Sequence, residues 1–389
     1  MSRIDDLIAE RCPGGVPFGE LGKLVHRGTK IKWSDAGDEE FRYIDLTSVD
    51  RVTHAISDTE TIARESAPSR AQQLVREGDV LFGTTRPMLK RYCIVPAEFH
   101  GQIASTGYCV FRPDTSCLLT NFLFHVLGTA EFYAFVEANE RGASYPAIPD
   151  SVVKEFQIPV PPLEVQREIV GILDNFTALE AALEAELEAR RRQYVFYRDS
   201  LFSDGDASTS WSMLGDVASV RTGQAPPPGV VAEVGPYAFI NAGTSESGRA
   251  SEANTAGDAV TIPSRGQGGV GIVGYQTEQF WCGPLCYRIT STSDRLRTRY
   301  LYFYLKSVQP SIRGLQQAGG TPALNKKELV LVRVPMPRIE EQDRIVSLLD
   351  KFDSIVNDLS IGLPAELAAR RKQYEYYRNR LLTFEEALA

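Results

Sequence analysis

The chain has 389 residues, 43% of them apolar and 24% charged, with a formal net charge of −8. That length and apolar content support more than one hydrophobic core. No apolar run is long enough for a bilayer span or a secretory signal, so a soluble, cytoplasmic protein without a membrane partner is expected. The six cysteines (Cys12, Cys93, Cys109, Cys117, Cys282 and Cys286) form no C-x-x-C pair, and the four histidines (His26, His54, His100 and His125) stand apart, so no zinc site, disulfide framework or other metal centre is expected.

Residues 1–158 open the chain with short apolar runs at 80–82, 92–95 and 109–111, bounded by Gly, Pro and Asp, which predict strands and turns; 121–139 predicts helix. Residues 1–150 are acidic, with 16 Lys+Arg against 21 Asp+Glu. Within them Arg86-Pro-Met-Leu-Lys90-Arg91-Tyr92 forms a basic and aromatic run that follows Thr84 and Thr85 out of a predicted strand. It reads either as a solvated turn or as a loop that touches DNA.

At Pro159 a block begins that is written twice. Pro159, Pro161, Glu164, Gln166, Ile169, Val170, Leu173, Asp174 and Phe176 recur 176 positions later as Pro335, Pro337, Glu340, Gln342, Ile345, Val346, Leu349, Asp350 and Phe352. Farther on, Arg190, Arg191, Gln193, Tyr194, Tyr197, Arg198 and Leu201 recur at an offset of 180 as Arg370, Arg371, Gln373, Tyr374, Tyr377, Arg378 and Leu381. A repeat on this scale is a duplicated half-protein. In the first copy Phe176, Leu179, Leu183, Leu187 and Tyr194 step at mostly helical intervals and predict the seam of a coiled coil. The second copy keeps it in Phe352, Ile355, Leu359, Leu367 and Tyr374, because four inserted residues add about one helical turn. Gly362 and Pro364 lie in that insertion and predict a break, with Pro364 starting a new helical segment. Residues 163–202 number 40, so an unbroken helix there would reach about 60 Å.

The stretch 203–210 has linker composition and precedes a second globular segment. This segment repeats the first loosely: Phe18-Gly-Glu-Leu-Gly22 matches Trp211-Ser-Met-Leu-Gly215, Gly78-Asp-Val-Leu81 matches Gly257-Asp-Ala-Val260, and Tyr145-Pro-Ala-Ile148 falls opposite Thr321-Pro-Ala-Leu324. Residues 211–334 carry 12 Lys+Arg against 8 Asp+Glu, so the acidity lies elsewhere. The counterpart of the basic run is Pro263-Ser264-Arg265-Gly266-Gln267-Gly268-Gly269, where Arg and Gln have the geometry to read guanine and adenine edges. It also satisfies G-x-G-x-x-G at Gly266, Gly268 and Gly271. A dinucleotide site needs a helix to start at the glycines, whereas strand-like sequence follows, so a tight hairpin near a phosphate backbone is favoured.

The expected organisation is therefore α+β: globular segments of mixed sheet and helix at 1–158 and 205–334, and repeated helical regions at 159–204 and 335–389 that pair as an antiparallel coiled coil with pseudo-two-fold symmetry. Thr84, Thr85, Arg86, Lys90, Arg91, Tyr92 and Tyr145 are the candidate DNA contacts of the first segment. Ser264, Arg265, Gln267, Lys326 and Lys327 are those of the second. No phosphate loop, H-E-x-x-H or G-x-S-x-G motif occurs, so no catalytic residue is assigned.

The block Pro159-Val-Pro-Pro-Leu-Glu-Val-Gln-Arg-Glu-Ile-Val170, with its twin and the two Arg-Arg-x-Gln-Tyr runs at 190–194 and 370–374, resembles the repeated regions of the specificity subunits of type I restriction-modification systems. The resemblance covers the whole chain. It implies two target-recognition domains that read a bipartite, asymmetric site in double-stranded DNA, held apart by a helical spacer. It also implies two methyltransferase subunits and restriction subunits as partners. Catalysis would then belong to those partners, with S-adenosylmethionine, ATP and Mg in them and no cofactor in this chain.

Overall fold

The computed structural model describes residues 2–203, 209–266, 268–317, 322–357 and 362–387. The chain divides into two compact units, Met1–Glu184 with Leu367–Ala389, and Ala185–Glu366. We call them the first and second unit.

The first unit contains two main sheets. One is antiparallel, in the order Val25–His26, Tyr108–Pro113, Val80–Gly83, Tyr92–Ile94. Val80–Gly83 is buried at every position, which is why it reads as an unbroken apolar run rather than an alternating one. The other sheet has five strands, and in it Phe41–Ile44 runs parallel to Ile103–Ser105. A short ribbon, Phe18–Glu20 against Gln157–Pro159, closes the unit where the long helix begins.

The second unit repeats this plan. Its antiparallel sheet runs Ala218–Thr222, Cys286–Ser291, Ala259–Pro263, Gly274–Gln276; its second sheet pairs Tyr237–Ile240 parallel to Phe280–Cys282; and Ser210–Met213 forms the ribbon with Arg333–Met336. Mixed sheets with helices packed on them make both units α+β, as the sequence predicts.

Among the described residues the repeated helical blocks form three helices, Leu163–Ser203, Ile339–Asn357 and Leu363–Leu381. Pro161 and Pro162 precede the long first helix, and Pro364 sits in the opening turn of the last one, where a missing N–H costs no intrahelical bond. A new helical segment begins at Leu363, as predicted for Pro364; residues 358–361 before it lie outside the described residues.

A buried glutamine anchors each helical block to its unit. Gln166 is fully buried; its Oε1 accepts from the Leu119 N–H at 2.9 Å, and its Nε2 donates to the carbonyls of Cys117 and Pro161 at 2.7 and 2.8 Å. Gln342 makes the same set with the Arg297 N–H and the carbonyls of Arg295 and Pro337. Around these amides the core of the first unit takes in Val165, Ile169 and Leu173 from the start of the long helix, and Leu381 and Leu382 from the end of the chain. The core of the second unit takes in Tyr194 and Phe202 with Ile345, Leu349 and Val356.

Helix pairing within each unit is antiparallel and uses one segment from each copy of the repeat. In the first unit Phe176 stacks on Tyr377, with ring centroids 5.4 Å apart, while farther along Arg371 bonds to Glu180 and Glu184. In the second unit Tyr197 stacks on Phe352 at 5.8 Å, the same pair with its copies exchanged. The predicted seam needs correction at two positions. Leu187, Tyr194 and Leu367 are buried, and Phe176, Leu183, Phe352 and Tyr374 are half-buried, but Leu179 and Ile355 are 43% and 46% exposed. The inward stripe in the first unit runs through Leu173, Thr177, Glu180 and Glu184, because the Arg371 ion pairs occupy the interface where the leucine pattern was expected to lie. Leu359 falls outside the described residues.

At the other edge of the first unit the two ends of the chain meet. The Val16 N–H donates to the Glu385 carbonyl at 2.9 Å, and the Ala387 N–H donates to the Val16 carbonyl at 3.0 Å. Gly15 sits there with φ +97°, and a Cβ on it would lie 2.8 Å from the Ala387 backbone.

Replacing Gln166 or Gln342 with Leu leaves one buried N–H and two carbonyls without partners. Each variant should lose about 2–4 kcal/mol in the unit that carries it, read as an earlier transition in urea unfolding.

Candidate nucleic-acid interface

In both units the strand that carries the candidate loop ends in a buried hydroxyl and then turns outward. Thr84 is 6% exposed; its N–H and Oγ1 both donate to the Gly107 carbonyl, at 2.8 and 3.0 Å, and its own carbonyl accepts from the Ile148 N–H. Ser264 is 6% exposed; its N–H donates to the Leu285 carbonyl at 2.7 Å, and its carbonyl accepts from the Leu324 N–H. The following residues form matching antiparallel bridges, Thr85 to Ala147 and Arg265 to Ala323. Thr84 and Ser264 are thus removed from the candidate surface: they fix the loops from inside, and the residues after them face solvent.

In the first unit that surface holds Arg86, Lys90 and Tyr145. Arg86 and Lys90 adopt φ values of +50° and +55° on either side of a short 3-10 turn started by Pro87. The Arg86 guanidinium lies 4.4 Å from the centroid of Tyr145, which is 71% exposed, and the Lys90 ammonium lies 4.8 Å from that of Tyr133. A cation held against an aromatic face is a pre-ordered contact for a phosphate or a base.

Arg91 and Tyr92 belong elsewhere. Arg91 turns inward and donates to the Leu46 carbonyl, and Tyr92 is buried against His54 with ring centroids 4.0 Å apart. The sequence run is basic and aromatic, but it leaves the surface after the 3-10 turn and re-enters the sheet at Tyr92, so that Arg86 and Lys90 are exposed while Arg91 is half-buried.

In the second unit Arg265, Lys326 and Lys327 are exposed and come together through the Arg265 to Ala323 bridge, since Lys326 opens the turn of helix Lys326–Leu329 that follows it. Gln267 lies outside the described residues. The glycines beside it serve backbone geometry: Gly266, Gly268 and Gly271 have φ of +121°, +89° and +74°, and a Cβ on Gly269 would come within 2.1 Å of the Ala242 carbonyl. The element that follows is the strand Gly274–Gln276, not a helix, so no helix N-terminus is offered to a pyrophosphate.

Two features beside the first loop had no sequence signal of their own. His125, expected to stand alone, hydrogen-bonds to Asp174 at 2.8 Å and to the Tyr374 hydroxyl at 2.9 Å, which holds the Asp174 carboxyl below the usual range. His54 sits at φ +54° at the end of a turn in which Asp50 accepts from the N–H groups of Val52 and Thr53. Burial, and secondarily the charge of Arg378, lower the His54 pKa to about 4.

This depressed histidine gives a pH signature. Between about pH 6.5 and 4 the unfolded chain binds a proton at His54 that the folded chain refuses, so folding stability should fall as pH drops through that window. His54→Asn should flatten that part of the profile by about one proton, measured as the difference between wild-type and variant urea unfolding at several pH values.

A family model described as the type I restriction modification DNA specificity domain matches residues 16–189 and 210–369. The specificity subunit of the type I restriction enzyme EcoR124I/EcoR124II of Escherichia coli is 33% identical over 256 residues, which cover 59% of this chain and 63% of that protein. A type I specificity subunit of Mycoplasma pneumoniae is 29% identical over 238 residues, 58% of this chain and 92% of that one. Among solved structures, a chain from work on complex assembly and conformational transition of the type I R-M system superposes with a TM-score of 0.67 at 28% identity, covering 95% of this chain and 98% of its own. The S subunit of a type I restriction-modification system from M. genitalium shares the fold, with a TM-score of 0.59 at 18% identity over 95% and 96% of the two chains.

Proposed function

We propose, for a chain that belongs to the type I restriction-modification DNA specificity family, that its two units read the two halves of a bipartite, asymmetric site in double-stranded DNA. The observation that carries this reading is the shared loop register. The bridges Thr85 to Ala147 and Arg265 to Ala323 present exposed basic side chains at corresponding places in two units of different sequence. Equivalent placement with different side chains suits two readers of different half-sites. Phosphate contacts by Lys326 and Lys327 would set register, and Arg265 has the fork geometry to read a guanine.

On this reading the chain performs no chemistry. It positions two methyltransferase subunits, in which S-adenosylmethionine supplies the methyl group for an adenine taken out of the stack, and restriction subunits that use ATP and Mg. Among the described residues no helix is long and apolar enough to cross a membrane.

Arg265→Ala should cost about 1–3 kcal/mol and relax one base of the recognised sequence, while Lys326→Ala should weaken all sites alike and lower the salt dependence of binding. Both effects are read from DNA titrations of the assembled complex. Exchanging residues 211–334 for those of a related chain should change one half of the methylated sequence and leave the other intact, by genome-wide methylation mapping. Alteration of both halves would overturn the two-reader assignment, and binding without sequence preference would replace this reading with that of a protein scaffold.

A further inference from the structure

The first unit holds a solvent-open pocket of about 470 Å³ whose wall includes Arg51, His54, Lys90, Tyr374 and Arg378. Its lining also contains Arg371 with Glu180 and Glu184, whose ion pairs between the helices leave one negative charge in excess, but Arg51, Lys90 and Arg378 keep the lining as a whole positive. The remaining carboxylate, Glu375, is an exposed residue. Arg378 is a different case. It is 9% exposed, its guanidinium lies 5.0 Å from the Tyr374 ring centroid, and its Nε is shielded from solvent and has no hydrogen-bond partner.

The duplication supplies the comparison that gives this weight. Arg198, the counterpart of Arg378, is equally buried in the second unit, but its Nε donates to Asp199 at 2.8 Å and its Nη2 lies 2.8 Å from the same carboxylate. Where one copy has Asp199 the other has Asn379, a neutral amide whose Oδ1 accepts from the Ala130 N–H at 3.0 Å. The same arginine is therefore ion-paired in one unit and, among the described residues, makes no ion pair in the other. A buried cation without a direct counter-ion is costly; Arg378 hydrogen-bonds the Tyr374 side chain, but among the described residues none of Asp174, Glu180 and Glu375 nearby pairs with it. His54, whose Nδ1 also lacks a hydrogen-bond partner, stays neutral at neutral pH, and Lys90 and Arg51 add positive charge.

We propose that this cavity binds a compact oxyanion, a phosphate or carboxylate group, with Arg378 as its counter-charge at the wall and Lys90 and Arg51 beside it. The site goes beyond the DNA reading and does not depend on it: a chain that read no DNA would still bind the anion. Phosphate and carboxylate share the chemistry that a guanidinium recognises, and their relative affinities separate the two sources.

The test uses the full chain without DNA, titrated calorimetrically with inorganic phosphate and separately with acetate, at constant ionic strength set by sodium chloride. A single saturable site is expected for at least one of them, and the tighter of the two identifies the class of natural ligand. Asn379→Asp restores the carboxylate found in the other copy; it should fold normally, melt no lower than the wild type, and bind the anion about tenfold more weakly. Lys90→Ala, at an exposed position, should weaken binding about threefold without lowering the melting temperature. Absence of saturable binding by both anions would overturn the proposal, as would binding that neither substitution changes.

Discussion

A buried primary amide, used twice, sets the geometry on which the rest of the molecule rests. Gln166 and Gln342 each join three pieces of backbone: the proline-rich entry to a helix, and two points on the loop that leads into the next helical layer of the same unit. With no solvent at either site, only a side chain with both a donor and an acceptor at the right reach satisfies all three groups. The direction in which each helical block leaves its sheet is thereby fixed. The loops that end the neighbouring strands are held in matching positions by the same unit.

The exchanged aromatic pairs express the duplication at the level of packing. Phe176 with Tyr377, and Tyr197 with Phe352, are one interaction made twice with the copies swapped, so each unit is completed by a segment of the opposite repeat. Divergence then acts on the background of a retained frame. His125 occupies the helix face above Asp174 in one unit, whereas in the other Asp350 takes a charged partner, with Arg299 Nη2 2.6 Å from its Oδ1. Both arrangements hold the same two elements together by different chemistry.

Much of this was legible in the sequence. The repeat at offsets of 176 and 180, the helical segment that starts at Pro364 and the absence of a helix after the glycine-rich run follow from period and residue type, which are local properties. The positions that departed from expectation depend on partners far away in the chain. Leu179 has the spacing of a seam residue, but it is exposed, and its neighbours Glu180 and Glu184 are the side chains that meet Arg371. Arg91 and Tyr92 look like a continuation of a basic surface run, yet one is drawn to the Leu46 carbonyl and the other into the core. The Arg378 cavity is assembled from the 51–54 turn and the last helix, more than three hundred residues apart, and carries no pattern that a single stretch could display.

The division of the core has a consequence for synthesis. Ala185–Glu366 is one continuous stretch, so the whole second unit is translated between the two parts of the first. The first unit also needs Leu381 and Leu382 for its core and the 385–387 strand partner for Val16. Although its first residues are translated earliest, its hydrophobic interior cannot close until the whole second unit has been translated. Its sheets must therefore survive with Val165, Ile169 and Leu173 incompletely covered during that interval, which makes the first unit the more exposed of the two to chaperones, proteases and aggregation.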